Sequence, residues 1–280
     1  MLQFKEIIKT LIIMIYPDYQ RKRLKHFFNH LSFNKDGNEE KELLLLRFWL
    51  QSDSVFFDIG ANIGLYTYVA KSHTLADKIY AFEPIPELSR RLKYMFPAVR
   101  HYRVAFSNEI STHSFKIPYI GGQEFKSRGT LNTTYKEKGE TTTRLIDVTT
   151  DTIDDFCNKK KIHRLDFIKI DVEGHESKVI EGGTETLKRL RPVLQIEIEQ
   201  RHHESNIIHI IDYVKKLGYN CHYLDLETRQ IIPLETNPQE IQQESQFKKS
   251  GYVNNFIFVP DIPEWNDKLA NINRQILKMG

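Results

Sequence analysis

The strongest constraint on the fold is VFFDIG at residues 55–60. Its apolar side chains occupy successive positions, so an extended chain presents them on both faces. Such a run suits a strand covered on both sides, as central parallel strands are. KIYAFEP (78–84), DFIKID (166–171) and VLQIEIE (193–199) repeat the pattern, and VRHYRVAFS (99–107) is a weaker instance. Helical stretches follow most of these runs: GLYTYVAKSH, PELSRRLKYMF, ESKVIEGGTETLKRL and IIHIIDYVKKLGY. The pair Gly182-Gly183 should break the third helix. Strand–helix–strand alternation predicts an α/β fold, a mostly parallel Rossmann-like sheet with helices on both faces. CHYLDLE and NNFIFVP supply a terminal strand pair, one of them antiparallel.

With 280 residues, 40 % of them hydrophobic, the chain can build one sizeable core with an appendage. Residues 1–50 read as an N-terminal helical extension, 51–262 as the sheet domain and 263–280 as a C-terminal helical tail on the surface. Residues 108–150 are rich in Gly, Thr and Lys and too long for a plain connection. They are an active-site cover, a small hairpin insertion or a disordered surface loop. The apolar run at 11–16 is too short to span a bilayer, and no small-residue cleavage site accompanies it. An amphipathic helix packed on the domain is expected there, with weak peripheral membrane contact as the alternative. A net charge of +3 without a dense basic tract predicts no nucleic-acid partner. The two cysteines, Cys157 and Cys221, lack metal spacing and read as buried thiols in a reducing, cytoplasmic setting.

Open parallel sheets bind ligands beyond the carboxyl ends of their strands. FDIGANIG stands at the first such end. Gly60 and Gly64 flank a turn that brings bare backbone against a ligand, and Asn62 tolerates unusual backbone angles. The dinucleotide pattern G-x-G-x-x-G is absent, and Asp58 would repel a pyrophosphate. S-adenosylmethionine has no phosphate but carries a sulfonium and an amino group, which Asp58 could favour directly or through water. The competing role for Asp58 is to cap the following helix. Glu83, ending YAFEP, can accept both hydroxyls of a ribose. Ser107 and Asn108 in AFSN are placed to line the adenine edge.

FDIGANIGLYT, YAFEPIPE, DFIKIDVEGHESKVIEGG and VLQIEIE together resemble the FkbM family of S-adenosylmethionine-dependent methyltransferases. The resemblance covers roughly residues 55–260 and takes in VTTDTIDDF and NNFIFVP. It implies a class I methyltransferase-like fold with a seven-stranded sheet. It also implies methylation of a hydroxyl oxygen, here of a saccharide or glycosylated small molecule. By the family pattern Asp58, Gly60, Asn62, Gly64 and Glu83 match cofactor positions. Asp171 and Glu173 match the KIDVEG signature without fixed roles. The alternatives are N-methylation of a protein or nucleic acid, or a non-catalytic cofactor-binding interaction protein. The Asn/Asp-Pro-Pro-aromatic tetrad common in amino-group methylation is absent.

The acidic cluster after DFIKID holds the candidate base. An alcohol becomes a good nucleophile as its proton leaves, and Asp171, Glu173 or His175 could accept that proton at about 2.6–3.2 Å. Glu173 and His175 are the leading acceptors, with Asp171 positioning them or the acceptor. Glu176 reads as the first turn of the next helix. Glu197 and Glu199 share a strand face and are candidates for gripping substrate, as is Arg128 for an acidic group on it. Glu197 and Glu199 could join Asp171 around Mg²⁺, but a metal-free site is expected. His202 and His203 are adjacent, lack zinc spacing and are expected on the surface. Tyr119 and Tyr135 either cover an acceptor ring or pack the insertion.

Overall fold

A computed structural model describes residues 17–32, 40–242 and 252–279. The described chain begins with α1 (Pro17–His30), a 3-10 turn (Lys41–Leu45) and α2 (Leu46–Trp49). Next come β1 (Phe56–Ile59), α3 (Leu65–Ala70), β2 (Ile79–Phe82), α4 (Pro86–Met95), β3 (Arg100–Tyr102) and β4 (Ala105–Phe106). The strands β5 (Thr112–Ile120), β6 (Gln123–Glu124) and β7 (Glu140–Asp151) follow. The chain continues through α5 (Ile153–Lys160), β8 (Phe167–Ile170), α6 (Glu176–Glu181), α7 (Thr184–Leu190), β9 (Val193–Glu197) and α8 (Ile208–Lys216). It ends with β10 (Tyr219–Asp225), β11 (Gln230–Pro233), α9 (Pro238–Ile241), β12 (Asn255–Pro260) and α10 (Glu264–Leu277).

The main sheet has the order β11-β10-β12-β9-β8-β1-β2-β3. Strands β3, β2, β1, β8 and β9 are parallel. From β9 outward each further pairing is antiparallel. The buried runs work as their composition requires. Phe56 enters the core shared with Leu46, Ala70 and Ile272, and its neighbour Phe57 enters the opposite core with Phe156 and Ile180. The sheet has eight strands rather than the expected seven, because residues 226–229 turn the chain back and β11 pairs with β10. On this edge strand the Ile231 N–H donates to Asn273 Oδ1 and its carbonyl accepts from Asn273 Nδ2, at 2.8 and 3.0 Å. That protects an edge otherwise open to another chain.

One other expectation is corrected, and one set of alternatives is decided. VRHYRVAFS is two strands: β3 pairs with β2, while β4 pairs with β7 in a second sheet of order β4-β7-β5-β6. Residues 108–150 are therefore built around an antiparallel hairpin of β5 and β7, not a disordered loop. Its Phe115, Ile117 and Val148 pack on Ile85, Leu88 and Ala105, which fixes the hairpin beside the strand ends. The glycine pair does separate α6 from α7, and a Cβ on Gly182 would meet the Ser107 carbonyl oxygen at 2.1 Å. The C-terminal helix is amphipathic and buries Leu269, Ile272 and Ile276. Residues 41–49 form the 3-10 turn and the single turn of α2, with Leu43 to Leu46 and Trp49 buried. The expected N-terminal amphipathic helix lies largely outside the described residues. Among those described, no helix is long and apolar enough to cross a membrane. Cys157 and Cys221 are free and buried.

Candidate active site

A pocket opens beyond the carboxyl ends of β1, β2 and β8, with an empty volume, mouth included, of about 550 Å³. Gly60, Asn62 and Glu83 line it, as do Asp171, Glu173 and His175. Gly60 has φ +81°, and a Cβ there would meet the Asp171 carbonyl oxygen at 1.8 Å. The turn after β1 can therefore pass the end of β8 only as glycine. Asn62 is also left-handed, with φ +47°. Its N–H donates to Glu83 Oε2 at 2.9 Å, and the Ile85 N–H donates to Glu83 Oε1 at 2.8 Å. Glu83, 4 % exposed, thus ties together the loops leaving β1 and β2. Burial pushes its carboxyl up to about 7 against the pull of those two bonds.

The other two members of the glycine-turn motif serve the fold. A Cβ on Gly64 would meet Leu92 and Phe96 side chains at 2.6 and 2.7 Å, so this glycine lets the start of α3 approach α4. Asp58 is 2 % exposed, and its Oδ2 accepts from both the N–H and the hydroxyl of Thr67, at 2.9 and 2.6 Å. Neither residue lines the pocket. The helix-holding reading of Asp58 is the one its hydrogen bonds match. Burial pushes its carboxyl up to about 6, opposed by the Thr67 bonds.

Asp171, just past β8, receives no hydrogen bond among the described residues. Burial raises it to about 6, with Lys169 pulling the other way. Lys169 is buried beneath it, its Nζ 3.0 Å from Asn255 Oδ1 and 3.5 Å from Glu197 Oε2. Burial alone would discharge Lys169, but Asp171 and Glu197 hold it charged. Glu173 sits at φ +52° in the next turn, and burial followed by repulsion from Asp171 lifts its carboxyl well above the usual range. His175 Nε2 is 3.0 Å from Ser107 Oγ, and burial lowers the imidazole to about 4. Ser107 is buried behind it, while the Asn108 amide donates to Glu181 Oε2 at 3.1 Å, and neither lines the pocket.

The three residues expected to grip substrate are engaged elsewhere. Arg128 Nη1 donates to Glu137 Oε2 at 2.9 Å. Glu199 takes a two-point bond from Arg201 at 2.6 and 3.1 Å and a third from the Tyr252 hydroxyl. Glu197 accepts from Asn254 Nδ2 at 2.8 Å. None of the three lines the pocket. The insertion contributes Phe115, Lys126, Ser127 and Leu131 instead. The histidines also differ from expectation. His202 is 4 % exposed, and His203 Nε2 lies 3.0 Å from the buried Glu176. Glu176 does open α6, where its Oε1 accepts the Gly174 N–H. Tyr135 packs its ring edge-on against His202, with centroids 4.9 Å apart.

The model of the FkbM methyltransferase domain matches residues 58–221. The chain is 24 % identical over 164 residues to the hexuronic acid methyltransferase AglP of Haloferax volcanii, covering 56 % of this chain and 61 % of that one. It is 28 % identical over 164 residues to the 2-O-methyltransferase NoeI of Sinorhizobium fredii, covering 55 % and 68 %. The match therefore spans about three fifths of AglP and about two thirds of NoeI. Among solved structures, the methyltransferase FkbM of Methylobacillus flagellatus aligns at a TM-score of 0.43 and 14 % identity, covering 75 % of this chain and 44 % of that one.

Proposed function

We propose, from the premise that this chain belongs to the FkbM-domain methyltransferase family, that it moves a methyl group from S-adenosylmethionine to a hydroxyl of a saccharide or glycosylated small molecule. The observation that carries the reading is the convergence of the Gly60–Asn62 backbone, Glu83 and Asp171 on one pocket. The donor set fits that cofactor. Glu83 uses one acceptor site on each oxygen for the protein, and a carboxylate offers about four. It retains acceptor capacity for ribose hydroxyls. Among the described residues no donor serves the Asp171 carboxylate, which suits a ligand bringing positive charge.

When bound, the cofactor supplies a methyl already activated on a sulfonium. The chain's task is to place an oxygen in line with it and remove a proton. Asp171 is the preferred base. Its value near 6 leaves it ionised at neutral pH while still basic, and its oxygens are uncommitted. His175 is neutral at that pH but held at about 4 and occupied by Ser107. Its role is to orient Ser107 and close the pocket wall. Glu173 faces the acceptor side and positions the hydroxyl. As the acceptor oxygen forms its bond to the methyl carbon, its proton passes to Asp171.

An oxygen acceptor is supported by the 2-O-methyltransferase relative, and a sugar acid by the hexuronic acid methyltransferase. The test is to incubate the protein with labelled S-adenosylmethionine and fractionated extract from its source, then identify the product by mass spectrometry. A labelled methyl ether on a glycan is expected. A labelled protein amine or nucleic-acid base, formed at a rate that Asp171→Asn abolishes, would overturn the assignment.

A further inference from the structure

Three separated segments bring side chains together at the edge of the pocket. Glu137 comes from the insertion, Glu173 from the turn after β8 and His202 from the loop after β9. One ligand atom from each lies within 4.8 Å of the others. His202 Nε2 is buried and makes no hydrogen bond, yet it stands 3.3 Å from Glu173 Oε2 and 3.6 Å from Glu137 Oε1. The second distance is too long for a hydrogen bond. Ligand atoms about 2.0–2.2 Å from a tetrahedral ion stand about 3.3–3.6 Å apart, which both distances from His202 match, while the two carboxylates lie within 4.8 Å of each other. We propose that Glu137, Glu173 and His202 bind a divalent transition-metal ion of the Zn²⁺ type, with a fourth position open to the acceptor.

The surroundings match such an ion. Two carboxylates and one imidazole are a donor set for first-row metals rather than for alkali ions. Gly174, at φ +91°, lies against His202, where a Cβ would meet His202 Cβ at 2.9 Å. This contact holds the Glu173 turn in register with the histidine. Arg128 and Arg201 pair with Glu137, and Arg201 also pairs with Glu199. Arg201 Nη2 also stands 3.8 Å from Glu173 Oε2, so one guanidinium faces all three carboxylates.

This role rests on the reading of the pocket as a methyl-transfer site. An acceptor oxygen on the open position would lose its proton more readily. The O–H proton passes to Asp171, the oxygen's electron pair forms the C–O bond, and the pair of the broken C–S bond stays on sulfur. Glu173 then serves as ligand and Asp171 as base, a division of labour that explains two carboxylates two residues apart.

Co²⁺ is a suitable probe, because tetrahedral cobalt absorbs strongly in the visible. The full chain, freed of metal by chelator, is titrated with CoCl₂ while S-adenosylhomocysteine binding is measured separately by calorimetry. One cobalt per chain with tetrahedral absorption is expected. It should vanish in His202→Ala and in the nearly isosteric Glu173→Gln. It should persist when His26 and His30, an exposed pair one turn apart on α1, are replaced by alanine. Folded wild-type protein that binds S-adenosylhomocysteine but takes up no cobalt would overturn the metal site and leave the methyl-transfer reading standing. Full absorption in both site variants would overturn it equally. Loss of S-adenosylhomocysteine binding in the wild type would instead remove the premise.

Discussion

Glu83→Gln separates the electrostatics of this site from its hydrogen bonding. In the folded chain the carboxyl sits at about 7, against an ordinary 4.5, because burial outweighs the bonds from Ile85 and Asn62. A raised carboxyl stabilises the fold below its unfolded value, and that contribution is lost as pH rises through the folded value. Between about pH 5 and about pH 8 the loss is roughly 2–3 kcal/mol. Glutamine does not titrate, so the variant lacks this loss. It carries a different cost: its NH₂ replaces one acceptor oxygen, leaving the Asn62 or Ile85 N–H facing a donor, for about 1–3 kcal/mol at any pH. The wild type should therefore be the more stable protein at about pH 5, and the gap should close or reverse by about pH 8. Urea unfolding of both proteins at both pH values gives the double difference, in which distant titrating groups cancel, while Asp58 and Asp171, which repel Glu83, contribute only through that repulsion. A gap that stays constant or widens with pH would refute a buried Glu83 with a raised carboxyl.

Gly60→Ala should abolish S-adenosylhomocysteine binding and cost at least about 3 kcal/mol, since it adds left-handed strain to a backbone clash. Calorimetry and thermal denaturation check the two halves. Thr67→Val removes the hydroxyl that donates to buried Asp58 and should cost about 1–3 kcal/mol in urea unfolding. It should shift cofactor affinity less than about tenfold, worth roughly 1.4 kcal/mol. A selective loss of binding without loss of stability would return Asp58 to the ligand.

The sheet was legible because its central strands are buried on both faces, which forces apolar residues at consecutive positions such as Phe56 and Phe57. That signal weakens wherever one face or one edge is free. β11 is an edge strand with a single fully buried residue, Ile231, and its backbone is satisfied by a side chain of α10. No pattern within residues 230–233 encodes that partner. VRHYRVAFS failed for a related reason. Its apolar positions serve two sheets, and the change of partner between β3 and β4 is set by the hairpin that β4 meets at Thr150 and Asp151.

The site divides along the same physical line. Glu83 and Asp171 were readable because a strand fixes where the residue directly after it stands, whatever the rest of the loop does. Gly64 and Asp58 share a motif with Gly60, but their neighbours are Leu92, Phe96 and Thr67, which only helix packing reveals. His202 illustrates the limit most clearly. Histidines outside a metal spacing carry no periodic signal, and metal spacing describes ligands close in sequence. Here the three donors are separated by 36 and 29 residues, numbered 137, 173 and 202. The usable clue was Gly174: a left-handed glycine after a left-handed Glu173 is a turn that something presses against. What presses is His202, so the backbone strain and the orphaned imidazole nitrogen are two aspects of one contact. If that contact exists to set ligand spacing, Gly174→Ala should cost cobalt affinity at least about tenfold while Glu83-dependent cofactor binding changes less. Equal losses of both would make the contact a feature of the fold alone.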